Sequence, residues 1–178
     1  TIEFWVKFRQ VNRITGNYDW QMFITKNSYE QYPGIGLCTN PSGCGGNKPL
    51  RFYHPGLTPS QSDYYWNDVQ NNTWYHVAVT YNGTHTQHYI NGEVKNTTAV
   101  SGTPTTNTNP LLIGKSTGIY GPYPVDGLLD EVRIYPRALS SAEILCHYAN
   151  NCSAQGYLNE TATLPAGYYY YVARASEG

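Results

Sequence analysis

Twelve acidic residues and five histidines bound what this 178-residue chain could catalyse. Retaining cleavage of a glycosidic bond needs two carboxyl groups about 5–5.5 Å apart, and a β-strand supplies them on one face through a Glu-x-Asp-x-Glu pattern. That pattern occurs nowhere in the chain, and Asp126, Asp130 and Glu131 do not reproduce it. A Gly-x-Ser-x-Gly elbow and a phosphate-binding loop are also missing. His85 and His88 are three apart on a predicted strand and so face opposite ways, which argues against a shared metal. His76 reads as a packing residue. The expectation is a non-enzyme.

Asp130 is the carboxylate that most needs a partner. Simple alternation places Leu128, Asp130, Val132 and Ile134 on the core face and Leu129, Glu131, Arg133 and Tyr135 outside. An unpaired charge on a core face is very costly. Either loop amides or an arginine satisfy Asp130, or it ligates Ca2+ together with Asp126, with Asn- and Thr-rich loops as further oxygen donors. Glu131 and Arg133 are expected to form a solvated pair of little energetic weight.

Flat aromatic faces are the other chemistry on offer, since they stack on sugars. Tyr64, Tyr65 and Trp66 lie in a long polar segment from Pro55 to Asn72, and Tyr120 and Tyr123 in Gly118-Ile-Tyr-Gly-Pro-Tyr-Pro124. They read either as a glycan site or as tyrosine-rich sheet surface or subunit contact, where Tyr is also enriched.

The elements that must position these groups are mostly strands. Ile2, Phe4, Val6 and Phe8 alternate with Glu3, Trp5 and Lys7. Further strands are predicted at Trp20–Thr25, Gly34–Cys38, Leu50–His54, 75–81, 84–90 and Leu111–Gly114, separated by turn-forming residues. Asn82-Gly83 and Asn91-Gly92 are strong hairpin signals, because both residue types accept the positive φ of a type I′ turn. Ser140-Ser-Ala-Glu143 is a capping box opening one short helix that ends near Asn150.

Charged residues make up 13% of the chain and the net charge is −1, so nucleic acid is excluded as a partner. No apolar run is long enough to enter a membrane. The four cysteines form two pairs of equal spacing, Cys38 with Cys44 and Cys146 with Cys152, which read as disulfides ahead of free thiols or zinc ligands. Acceptor triplets for N-glycosylation begin at Asn71, Asn82, Asn96, Asn151 and Asn159. Together these point to an extracellular or cell-surface location. The chain opens at Thr1 within a predicted strand, consistent with a removed preceding segment.

Two stretches, Trp74-Tyr-His-Val-Ala-Val-Thr-Tyr-Asn-Gly83 with Tyr89-Ile-Asn-Gly92, and Gly127-Leu-Leu-Asp-Glu-Val-Arg-Ile-Tyr-Pro-Arg-Ala-Leu-Ser140, resemble the laminin-G-like, pentraxin-type branch of the concanavalin A-like jelly rolls. The resemblance implies an all-β fold, a two-sheet antiparallel jelly-roll sandwich with one short C-terminal helix, over residues 1–152. It further implies extracellular recognition or adhesion through a glycan or protein, often with a Ca2+ ion. Such domains carry a Tyr- and Val-rich strand ahead of the one resembling Thr1-Ile-Glu-Phe-Trp-Val6. Here residues of that composition, Tyr168, Tyr169, Tyr170, Tyr171, Val172 and Ala173, lie instead beyond a linker starting at Ser153. They are expected either to complete their own domain or to be donated to an identical subunit in a polymer, unless the chain is cut from a longer protein.

Overall fold

The computed structural model describes residues 1–12, 20–26, 33–40, 43–105, 107–117 and 123–150. Among these, alternating patterns form twelve strands. They are β1 Ile2–Phe8, β2 Trp20–Lys26, β3 Gly34–Cys38, β4 Pro49–Tyr53, β5 Leu57–Thr58, β6 Gln61–Tyr65, β7 Trp74–Tyr81, β8 His85–Ile90, β9 Glu93–Ala99, β10 Ser101–Gly102, β11 Leu111–Ile113 and β12 Gly127–Ile134. One helix, α1, spans Ser141–Ala149.

Two five-stranded sheets face each other, in the orders β12-β1-β7-β8-β9 and β11-β2-β3-β4-β6, and β5 pairs with β10 separately. Every pairing is antiparallel. This is the expected all-β sandwich. Phe4, Val6, Phe8, Val77, Val79 and Ile90 of the first sheet meet Phe23, Ile24, Ile35, Leu37 and Leu50 of the second. Aromatic contacts run through this layer from Phe4 to Phe23 (5.0 Å), Phe23 to Phe8 (5.8 Å), Phe8 to Trp66 (6.1 Å) and Trp66 to Tyr75 (4.8 Å). Each buried aromatic contributes about 1.5–3 kcal/mol through lost contact with water.

The two hairpin signals resolve differently. Asn91 and Gly92 both have positive φ (52° and 81°), as a two-residue type I′ turn requires. The β7–β8 connection is instead a three-residue loop, with Gly83 alone at positive φ (101°). There the Asn82 side-chain oxygen accepts from the amides of Thr84 and His85, so a side chain stands in for the turn's backbone bond. The supposed long loop from Pro55 to Asn72 also needs correcting, since it contains β5 and β6. Leu111 and Ile113 of β11 are exposed because that strand lies at a sheet edge.

Near the β6–β9 side the interior turns polar. His54, Ser62, Thr86 and His88 are buried, and Asn96 donates across the sheets to the Asp63 carbonyl at 3.0 Å. Burial pushes His54 below the usual imidazole value. Burial also lowers His88 to about 4, although nearby Asp63 works against the shift. The unfolded chain therefore binds a proton below pH 6.5 that the folded chain refuses until about pH 4. Stability should fall by about 3 kcal/mol as pH drops through that window. Buried carboxylates with depressed pKa lose their contribution at lower pH still, and the Thr1 amino group, lowered to about 6 chiefly by burial, titrates above that value, so the loss between about pH 6 and 4.5 belongs to histidine. Urea unfolding at stepped pH should show this slope, and His88→Gln should flatten it.

Candidate functional site

Beneath α1 lies a carboxylate with no exposure to solvent. Glu3 points out of the sandwich from β1, yet its side chain is 0% exposed because Tyr135 and α1 cover it. His147 Nδ1 lies 2.9 and 3.0 Å from its two oxygens, Arg133 donates at 3.2 Å and the Tyr135 hydroxyl at 3.1 Å. His76 Nε2 stands 3.6 Å away. Burial alone would raise the Glu3 pKa, but His147 and, more distantly, His76 outweigh it and hold the carboxyl well below the usual carboxylate range.

The helix is set for this role by local sequence. Ser140 caps it, accepting from the Glu143 amide, while Glu143 accepts from the Ser140 amide at 2.7 Å and pairs with Arg137. Hydrogen bonds from Arg137 pull the Glu143 pKa down to about 2 against the effect of burial, helped by those from Ser140. Leu139 and Ile144 then bury against Ala78 and Tyr89.

Beside this network the expected placement of Asp130 fails. Glu3 pairs with Arg133 but Trp5 pairs with Asp130, so two steps on β1 meet three on β12. The extra residue makes a β-bulge, and Glu131 sits there at φ 47°, a left-handed conformation that costs a non-glycine residue about 1–3 kcal/mol. Leu129 and Val132 therefore pack on the core, while Leu128 is 54% exposed and Ile134 is exposed too. Asp130 leaves the core face and shares the outer face with Trp5. Its Oδ1 accepts from the Glu131 amide at 2.8 Å. Asp130 and Glu131 line one hollow of about 270 Å³ with Trp5 and Trp74. Glu131 is held by Arg133 at 2.5 Å, which links the hollow to Glu3. Glu131 and Arg133 pair at the surface as expected, and Arg133 also reaches the buried Glu3. Lys7 places its ammonium 5.7 Å from the Trp74 ring centre, a cation–π contact.

A second hollow, of about 340 Å³, opens at one end of the sandwich. Tyr64, Trp66 and Tyr75 line its aromatic side, with Tyr148 of α1 beside them, and Asp68, Asn91, Glu93 and Lys95 supply polar groups. Burial and the neighbouring Asp68 raise the Tyr64 pKa. Trp66 is only 2% exposed, so it is a core residue forming a wall and not a free platform. Tyr65 points the other way and is 58% exposed. Tyr123 packs against the cluster of Trp20, Met22 and Cys38, near Arg51, which stacks over Trp20 and is held by both oxygens of Asp63 at 2.8 Å. The five aromatic residues singled out in the sequence thus do not converge. Tyr64 and Trp66 share a hollow, Tyr65 and Tyr123 stand elsewhere, and Tyr120 lies outside the described residues.

Asp126 is engaged with Arg9 at 3.5 Å, and Asp130 lines a hollow without it. Among the described residues no three His, Cys, Asp or Glu side chains are grouped to hold a metal ion. The residues present do not fit a Ca2+ site shared by Asp126 and Asp130. Cys38 and Cys44 form a disulfide. Cys146 is disulfide-bonded as well, while Cys152 lies outside the described residues. Asn71 and Asn82 are exposed, whereas the Asn96 amide nitrogen is already donated to Asp63 and Thr98 and makes a poor glycan acceptor. Asn151, Asn159 and residues 168–173 lie outside the described residues.

A family model described as the concanavalin A-like lectin/glucanases superfamily matches residues 1–145. No curated protein sequence matches the chain. Among solved structures, a protein of Bacteroides ovatus described as carbohydrate binding superposes with a TM-score of 0.63 at 18% identity, over 81% of this chain and 39% of that one. Domain 4 of AbnA, a GH43 extracellular arabinanase from Geobacillus stearothermophilus solved with arabinotriose, gives 0.56 at 22% identity, over 81% and 63%. The CBM40 of the Ruminococcus gnavus IT-sialidase, solved with α2,3-sialyllactose, gives 0.62 at 14% identity, over 83% and 80%. The chain thus spans less than two-thirds of the first two structures, and at these identities the likeness concerns the fold.

The Glu3 network makes a direct prediction. Glu3→Ala would leave Arg133, His147 and Tyr135 without their shared acceptor, at a cost of about 3–5 kcal/mol in urea unfolding. A loss below about 1 kcal/mol would show that α1 docks without this carboxylate.

Proposed function

The chain belongs to the concanavalin A-like lectin/glucanases superfamily, and on that footing we propose that it is a non-catalytic extracellular module that binds glycan. The observation that carries this reading is the outer-face hollow, where Trp5 and Trp74 stand beside Asp130 and Glu131. Sugars present apolar C–H faces and rings of hydroxyls. Indoles cover the first and carboxylates accept from the second, with charge-assisted hydrogen bonds that are stronger than neutral ones. The three solved structures carry carbohydrate or carbohydrate binding in their descriptions, which supports the same class of ligand.

Several features favour binding over hydrolysis. Asp130 and Glu131 are adjacent on one strand rather than set across a cleft, and Glu131 is tied up by Arg133. Neither arrangement supplies the separated acid and nucleophile of a glycosidase. The Cys38–Cys44 disulfide supports an extracellular location, and no described helix is long and apolar enough to cross a membrane. Exposed Asn71 and Asn82 are the better glycosylation acceptors.

A second reading, a filament subunit, rests on β12. Among the described residues this strand pairs with β1 alone, leaving one edge open, with Leu128 and Ile134 exposed. An open edge accepts an extended segment, and residues 168–173 have strong β propensity. Light scattering of the full chain and of a chain ending at residue 164 tests it. Polymer from the full chain alone would support donation, and monomer from both would remove it.

For the first reading, Trp74→Ala should weaken binding to a glycan array by about tenfold, equivalent to about 1.4 kcal/mol, without changing the thermal midpoint. Undiminished binding by that variant would move the site elsewhere.

A further inference from the structure

The two hollows are joined by one side chain. Tyr148 lines the end hollow, and its ring stacks on Trp5, which lines the outer-face hollow, with centroids 5.9 Å apart and planes 29° apart. We infer that the hollows are two subsites of a single track, so that the ligand is a linear, uncharged oligosaccharide and not one terminal sugar. This rests on the glycan-binding reading and adds the ligand's length and charge.

The junction is built into the fold. Asn150 caps α1 in the left-handed conformation, with its amide directed at the carbonyls of Cys146 and His147, which fixes the turn that carries Tyr148. The β8–β9 turn tucks directly against that turn. A Cβ on Gly92 would lie 2.8 Å from the Leu145 side chain and 3.1 Å from Tyr148, and its φ of 81° is one that glycine adopts without strain. Asn91, the other turn residue, lines the end hollow and accepts from the His76 amide on β7. Aromatic rings thus line both hollows, Trp74 and Trp5 in one and Tyr64 in the other, and the Trp5–Tyr148 contact lies between them.

Charge along the track selects against acidic sugars. Glu131 is balanced by Arg133 and Glu93 by Lys95 at 2.7 Å. Asp130 in one hollow and Asp68 in the other are in no ion pair among the described residues. Both carboxylates would repel a uronate or sialate and accept from neutral hydroxyls.

The test is a length series. Mono- to hexasaccharides of glucose, xylose, arabinose, galactose and N-acetylglucosamine would be titrated calorimetrically against the full chain, with galacturonate and sialyl oligomers as charged controls. For the sugar that binds, affinity should rise by about tenfold or more between monosaccharide and hexasaccharide as the second subsite fills. Lys95→Ala, at a residue that lines the end hollow and not the Trp5–Trp74 hollow, should remove most of that gain and leave the monosaccharide within about twofold. Tyr148→Ala, which removes the ring stacked on Trp5, should also lose the gain with length, with thermal melting to confirm that α1 remains docked. Equal affinity for short and long oligomers would overturn the track and leave glycan binding intact. So would a Lys95→Ala loss equal at every length, or tighter binding of the charged oligomers. No binding by any oligomer to folded protein would overturn both.

Discussion

One buried negative charge organises this sandwich. Glu3 sits where a strand's alternation would ordinarily expose it, and the rest of the outer face is arranged to keep it dry and paired. Arg133 reaches it from β12, Tyr135 from the following turn, His147 from α1, and His76 stands against it from β7. Breaking such a cluster by removing one partner costs far more than the cluster contributes over an apolar replacement. Its worth therefore lies less in net stability than in specifying one position for the helix. A helix of nine residues is too short to hold itself together, so its place must come from what it packs on.

From that position everything at the proposed site follows. The docked helix brings Tyr148 onto Trp5 and into contact with the β8–β9 turn. Arg133, fixed by Glu3, in turn fixes Glu131 across the strand. The chemistry offered to a ligand is exposed, and the charge that orders it is not.

Much of this was legible from residue patterns, and the parts that were not share a cause. The alternation of β1 and the capping box at Ser140 are local features, the two-sheet fold came with the family resemblance, and the structure has all three. The burial of Trp66 is not legible in the sequence because β6 is hidden in a polar segment. Its signal was present, since Ser62, Tyr64 and Trp66 alternate on one face, but charged and polar neighbours masked it. Asp130 was misplaced for another reason. A bulge is set by the pairing of β12 against β1, and no run of single-strand alternation contains it. Trp5 and Trp74 were passed over because each belongs to a regular strand, and what makes them a pair is the sheet between them.

The bulge at Glu131 also bears on how such a surface could arise or vanish. In a strand, inserting one residue changes which side every later residue faces. Here the shift is confined: Leu129 before it and Val132 after it both reach the core. A one-codon insertion or deletion at this position would therefore leave the hydrophobic layer filled on one side of the change and alter the outward chemistry at a stroke. Lineages carrying this fold could gain or lose a carboxylate pair beside the tryptophans by length variation alone, without any substitution in the aromatic residues.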